Sequence, residues 1–189
     1  MKVALDIAVV LVLVLIEAVF VATEIALISL RDSQVRGLAT KGRRGAAVAR
    51  LTSDPNRFLA GVQIGVTLTS LLSSAYGAVT LSAAAGRELE RLGMTHRWAD
   101  ILGFLIVTLS ISFVTLVLGE LVPKRLALQR AEQAAQLAAP TLDRFASLMR
   151  PVIWLLSLST NVVVRLLGGD PDARRESISE EELRGLVAT

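Results

Sequence analysis

Long apolar runs separated by charged segments dominate the chain. The first, residues 7–30 (IAVVLVLVLIEAVFVATEIALISL), exceeds the roughly 20 residues that span a bilayer and predicts a transmembrane helix. Lys2 precedes it as it would a signal peptide. However, the run is long for such a leader, carries Glu17 and Glu24, and leads into a basic segment that resists translocation, so a retained first span is expected. The second run, 58–86, has no charged residue, and its Gly, Ser, Thr and Ala content suits close helix packing. The third, 101–118, feeds directly into "GELVPKR", residues 119–125. The pattern predicts an all-α membrane protein with a three-span core over residues 1–130.

Past residue 130 the pattern is broken. Residues 131–168 are apolar overall, but Pro140, Asp143, Arg144, Arg150, Pro151 and Arg165 divide them, and the uncharged piece 151–164 is short for an ordinary span. Arginines recurring near the ends of the pieces favour juxtamembrane amphipathic helices lying along the interface. A re-entrant hairpin is the alternative. Residues 169–189 are polar, with Ser179 and Glu182 in capping-box spacing for a new helix. They are expected to be a cytoplasmic linker leading to a regulatory region that the sequence does not include.

Composition agrees with a membrane setting: 53% of residues are hydrophobic and only 4% aromatic, and the mean hydropathy is +0.59. The net charge of +3 does not indicate nucleic acid, because the basic residues lie between apolar runs rather than along one exposed face. They set orientation instead. Arg31, Arg36, Lys41, Arg43, Arg44, Arg50 and Arg57 follow the first span, and Lys124, Arg125 and Arg130 follow the third. Between spans two and three, Arg87, Arg91 and Arg97 are diluted by Glu88, Glu90 and Asp100. The positive-inside rule predicts an outer amino terminus and a cytoplasmic carboxyl terminus. With no cysteine in the chain, disulfides and thiolate metal sites are excluded.

Each span carries a polar stripe. Glu17 and Glu24 lie two turns apart on the first, with Thr23 beside the second carboxylate. Gln63, Thr67, Ser70, Ser74 and Gly77 follow helical spacing on the second, with Thr69 and Ser73 on the adjoining face; Thr108, Ser112, Thr115 and Gly119 do so on the third and lead to Glu120. Serine and threonine commonly bond to their own helix or glue neighbours together. Intramembrane carboxylates are harder to explain by packing, since each costs a few kcal/mol even on the lenient insertion scale. Glu24 and Glu120 lie near span ends, where solvation or a partner such as Lys124 would suffice; Glu17 sits deeper. Oxygen donors without His or Cys suit a hard cation such as Mg²⁺, Ca²⁺ or Na⁺. The lone His96 falls in the outer loop as a surface residue. Pro123 removes a helix hydrogen bond and clashes with the Gly119 carbonyl, so the helix is expected either to break there, freeing carbonyls beside Glu120, or simply to kink or end.

Four segments in order, "FVATEIAL" (20–27), "DPNRFLAGVQIGVTLTSLL" (54–72), "GELVPK" (119–124) and "SISEEELRGLV" (177–187), resemble the CorC/cyclin M family, nearest its bacterial hemolysin-like branch. The resemblance implies a homodimer in the bacterial inner membrane, with three transmembrane helices and a juxtamembrane belt per subunit, normally followed by paired nucleotide-binding domains. It also implies Mg²⁺ export driven by Na⁺ entry. ATP is not expected to bind this chain, which lacks those domains, and no enzymatic activity is expected.

Carried over position by position, the resemblance gives Gly119 and Glu120 an ion-binding role and Pro123 a helix-breaking role. Many relatives have a serine-rich segment where Val21, Ala22, Thr23 and Glu24 stand, and asparagines near Val66 and Thr67. Thr23, Thr67, Ser70 and Ser74 are therefore the substitute ligands. Glu17, Glu24, Gln63, Ser73, Ser112 and Thr115 are candidates for an outer shell or for Na⁺. The implied mechanism is alternating access around a dehydrated Mg²⁺; the competing class is a membrane-anchored Mg²⁺ sensor or scaffold that binds without transport.

Overall fold

The computed structural model describes residues 2–169, and every element among them is a helix, as the apolar pattern predicts. In chain order the elements are α1 (Lys2–Ser29), α2 (Asp32–Ala39), α3 (Gly42–Ser53), α4 (Pro55–Arg91), α5 (His96–Val114), a π-helical segment (Thr115–Leu121), α6 (Val122–Gln129), α7 (Ala131–Leu148) and α8 (Arg150–Leu166). Three are long and apolar enough to cross a membrane: α1, α4, and the continuous stretch His96–Gln129. The helix expected from Ser179 lies outside the described residues.

Local chemistry explains where the elements begin and end. At the start of α4, Asp54 accepts a hydrogen bond from the Arg57 backbone N–H at 3.2 Å and Pro55 occupies the first turn, where no backbone donor is needed. At its end, Gly93 adopts a φ of 93°. Its N–H donates to the Glu90 carbonyl at 2.9 Å and that of Met94 to the Leu89 carbonyl at 3.2 Å. This is a Schellman closure, which turns the chain sharply into α5. The 37 residues of α4 make a rod of about 55 Å, longer than the hydrocarbon layer of about 30 Å.

Residues up to Leu148 form one compact unit, and α8 belongs to a second. Within the first, α4 packs antiparallel on α1 and α5. A Cβ at Gly65 would come 2.6 Å from the Phe20 ring, and one at Gly77 would meet Ile111 Cδ1 at 2.0 Å and Val10 Cγ2 at 3.5 Å. These close approaches fix the register of α4 on α1, and a larger residue at either position would have to displace the facing side chain. Two apolar clusters result. One gathers Ala26, Leu27, Leu38, Val48, Phe58, Val62, Ala127, Ala135, Ala139 and Leu142 at the basic end of the bundle. The other joins Val10, Val14 and Ile111 nearer the opposite end.

Helix α7 packs into the first cluster with Ala135, Ala139, Leu142 and Ala146, and it is pinned by polar contacts. Arg50 donates to Asp143 Oδ2 through Nε at 3.1 Å and Nη2 at 2.9 Å. Arg57 Nη2 donates to Ser147 Oγ at 2.6 Å and lies 3.5 Å from Asp143 Oδ1. Gln34 of α2 donates to Glu132 Oε1 at 2.8 Å. Phe20 and Phe145 add a tilted ring contact at 5.0 Å between centroids. Helix α8 buries none of its residues, leaving Trp154, Leu155, Leu156, Val162 and Val163 exposed.

The proline in "GELVPKR" does not interrupt the helix. The chain widens instead into the π segment, where the Val122 N–H bonds to the Val117 carbonyl, five residues back. Pro123 brings no N–H and its ring crowds the carbonyl four residues earlier. Shifting the bonding to five residues accommodates both without a gap, and Pro123 is buried at the start of α6.

A buried carboxylate beside the widened helix

Between the two apolar clusters lies a group of oxygen atoms. Glu17 of α1 is only 1% exposed, and its Oε2 has no hydrogen-bond partner. Its carboxylate faces the π segment at Gly119, where an added Cβ would lie 3.4 Å from Glu17 Cδ and 3.6 Å from Oε1. A glycine here lets the acid lie against backbone. Glu120 is the next residue of the same segment. It is half-buried and pairs with Lys124 Nζ at 3.3 Å, the partner expected of a carboxylate near a span end.

Hydroxyls complete the group. Ser73 is wholly buried and its Oγ has no partner. The contacts of Gly65 with Phe20 and of Gly77 with Val10 bracket it, which sets Ser73 at the height of Val14, about one turn from Glu17. On the third span, Thr115, about one turn before Gly119, carries a buried hydroxyl oxygen without a partner; Thr108 and Ser82 do as well, but Thr108 lies about three turns before Gly119 and away from Glu17. Several orphaned oxygens in apolar surroundings are costly to leave uncompensated. Oxygen donors with a carboxylate among them suit a hard cation and do not suit a soft transition metal.

The other sequence candidates fall elsewhere. Thr23 is buried, but its hydroxyl donates to the Val19 carbonyl at 2.6 Å within its own helix. Thr69 does the same to Gly65 at 2.8 Å. Thr67 is exposed and accepts from Gln63 Nε2 at 3.3 Å. Ser74 and Ser112 are exposed, and Ser70 and Glu24 half-buried. The packed face of α4 is the one that carries Thr69 and Ser73.

Asp6 escapes the sequence reading because it precedes the first apolar run. It is buried at 5% exposure and accepts a hydrogen bond from Tyr76 Oη at 2.8 Å. The signal was available: Asp6, Val10, Val14, Glu17 and Val21 form the buried stripe of α1 at helical spacing. His96 lies on the first turn of α5 rather than in a loop. Its exposed ring contacts Glu90 through Nδ1 and lies 3.4 Å from Asp100 through Nε2.

Comparison with known proteins converges on one group. Residues 7–189 match the family described as cyclin M transmembrane N-terminal domain. The chain is 36% identical to the UPF0053 protein sll0260 of Synechocystis over 98% of its own length and 42% of that protein's. It is 35% identical to the UPF0053 protein YhdT of Bacillus subtilis over 94% and 39%. It is 32% identical to the UPF0053 inner membrane protein YfjD of Escherichia coli over 91% and 37%. The chain thus spans about two fifths of the length of these relatives.

Proposed function

The chain belongs to the cyclin M transmembrane N-terminal domain family, and from that premise we propose that it is the membrane part of a Mg²⁺ exporter. The observation that carries the proposal is Glu17: a fully buried carboxylate with an unpaired oxygen, set against Gly119 in a π-helical turn. Such turns recur at functional sites. A buried, unpaired charge at membrane depth is retained where it has a task.

In this proposal Mg²⁺ enters from the basic end, which faces the cytoplasm by the positive-inside rule. Glu120 exchanges Lys124 for the ion, and Glu17, Ser73 and Thr115 replace part of its water shell. Shedding several waters from Mg²⁺ demands a near-octahedral set of oxygens, which explains donors drawn from three spans. Na⁺ entry would return the site to its starting state, and two copies of the chain would assemble in the inner membrane, the location named for the Escherichia coli relative.

Mg²⁺ binding to the purified chain by calorimetry, followed by flux in liposomes, tests the proposal. Glu120→Gln is expected to weaken binding about tenfold or more, the worth of a charge-assisted contact, and Ser73→Ala by a smaller factor. Unchanged binding in both variants would remove the site. Intact binding without flux would assign the chain to a sensor instead.

A further inference from the structure

Outside the bundle centre, a groove of 810 Å³ runs between α1, α6 and α7, with Leu15, Val19, Leu118, Leu126 and Leu137 among its walls. It opens at the basic end into a second, polar pocket of 500 Å³ bounded by Ser29, Arg31, Gln34 and Glu132. The two share Gln129, Arg130 and Gln133. Glu132, the acid of the polar pocket, accepts from Gln34 at 2.8 Å, and Arg31 and Arg130 outnumber it two to one, which leaves the pocket net positive.

We propose that this compound cavity is a binding site for one anionic phospholipid, with an acyl chain along the α1–α6–α7 groove and the phosphate between Arg31 and Arg130. The two halves match the two halves of such a molecule, in order and at the depth where an apolar helix surface meets a basic one. An acyl chain gains little by leaving bilayer hydrocarbon for an apolar groove, because both surroundings are alike. Selectivity therefore comes from the headgroup. Two arginines with neighbouring amide donors suit a phosphate ester, to which guanidinium binds bidentately. A zwitterionic lipid offers the same phosphate with its charge cancelled. Arg130 also forms the joint where α6 ends and α7 begins, so the bound headgroup would brace the connection between the widened third span and α7. The proposal does not depend on what the chain transports.

Native mass spectrometry of the detergent-purified chain tests this, with phosphatidylglycerol, phosphatidylcholine and inorganic phosphate titrated separately. Phosphatidylglycerol should be retained preferentially as a one-to-one adduct. Arg31→Gln and Arg130→Gln, both at exposed positions, should each weaken it about fivefold, the share of one basic residue at an anionic surface. Leu137→Trp, which fills the groove from an exposed position, should displace the lipid without altering helical content. Equal retention of both lipids, or adducts indifferent to both arginine variants, would overturn the proposal. So would phosphate binding as tightly as the lipid, or Leu137→Trp dissociating a dimer while leaving the adduct unchanged, which would place a second copy of the chain in the groove.

Discussion

At the basic end of the bundle and at its centre, buried polar groups are treated in opposite ways. Around α7 most are matched: Asp143 faces Arg50 and Arg57, Arg57 also reaches Ser147 through Nη2 although its Nε has no partner, and Gln34 holds Glu132. One turn or more into the membrane, Glu17 Oε2, Ser73 Oγ and Thr115 Oγ1 have no partner. Both regions are closely packed, so loose construction does not explain the difference. Satisfied polar contacts hold an element in one place, whereas unsatisfied oxygens in apolar surroundings hold a position open for something that brings its own charge. On the proposed function, the α7 region serves to fix the helices and the centre to exchange an ion.

That contrast can be broken by substitution. The largest effect is expected at Gly45, where an added Cβ would lie 1.8 Å from the Leu38 carbonyl oxygen. Gly45→Ala should force α2 and α3 apart and cost about 3 kcal/mol, since backbone has little room to yield, read as a fall in the thermal midpoint in detergent. Next, Asp143→Ala should cost about 2 kcal/mol. It strands Arg57, whose side chain is 20% exposed, against a site where Asp143 is 16% exposed; the partial exposure keeps the loss below that of a fully buried pair. Smallest, and opposite in sign, is Glu17→Gln. Neutralising an unpaired buried carboxylate should leave stability unchanged or raise it by about 1 kcal/mol, while Mg²⁺ binding falls. A loss of stability comparable to that of Asp143→Ala would show that Glu17 is structural and would erase the distinction between the two regions.

The spans were legible because a bilayer demands long apolar runs, and nothing else in the chain produces them. The carboxylate at Glu17 was legible for the same reason, as an expensive exception inside one of those runs. The facing side of α4 was not. Hydroxyls occupy several sides of that helix, and serine and threonine differ too little in hydropathy to mark the packed one. Gly61, Gly65 and Gly77, at multiples of four, were the better guide, because close approach excludes side chains where it does not exclude hydroxyls; they place Thr69 and Ser73 inside. Pro123 signalled a disturbance correctly, but a missing donor does not say whether a helix opens or widens. Tertiary packing decides that, and the buried positions of Gly119 and Pro123 favour continuity.

The widened turn also changes the arithmetic of everything after it. A bonding step of five residues inserts one residue relative to an α-helix, and one residue is worth about 100° of rotation. A helical wheel drawn straight from Thr108 to Arg130 therefore assigns α6 to the wrong side by more than a quarter turn. Removing a single residue between Thr115 and Leu121 would shorten the span by very little, yet it would swing Lys124 and Arg130 around the axis together. In that sense the segment behaves as a phase shifter: it sets which way the far end of the third span faces, and the junction with α7 inherits that angle.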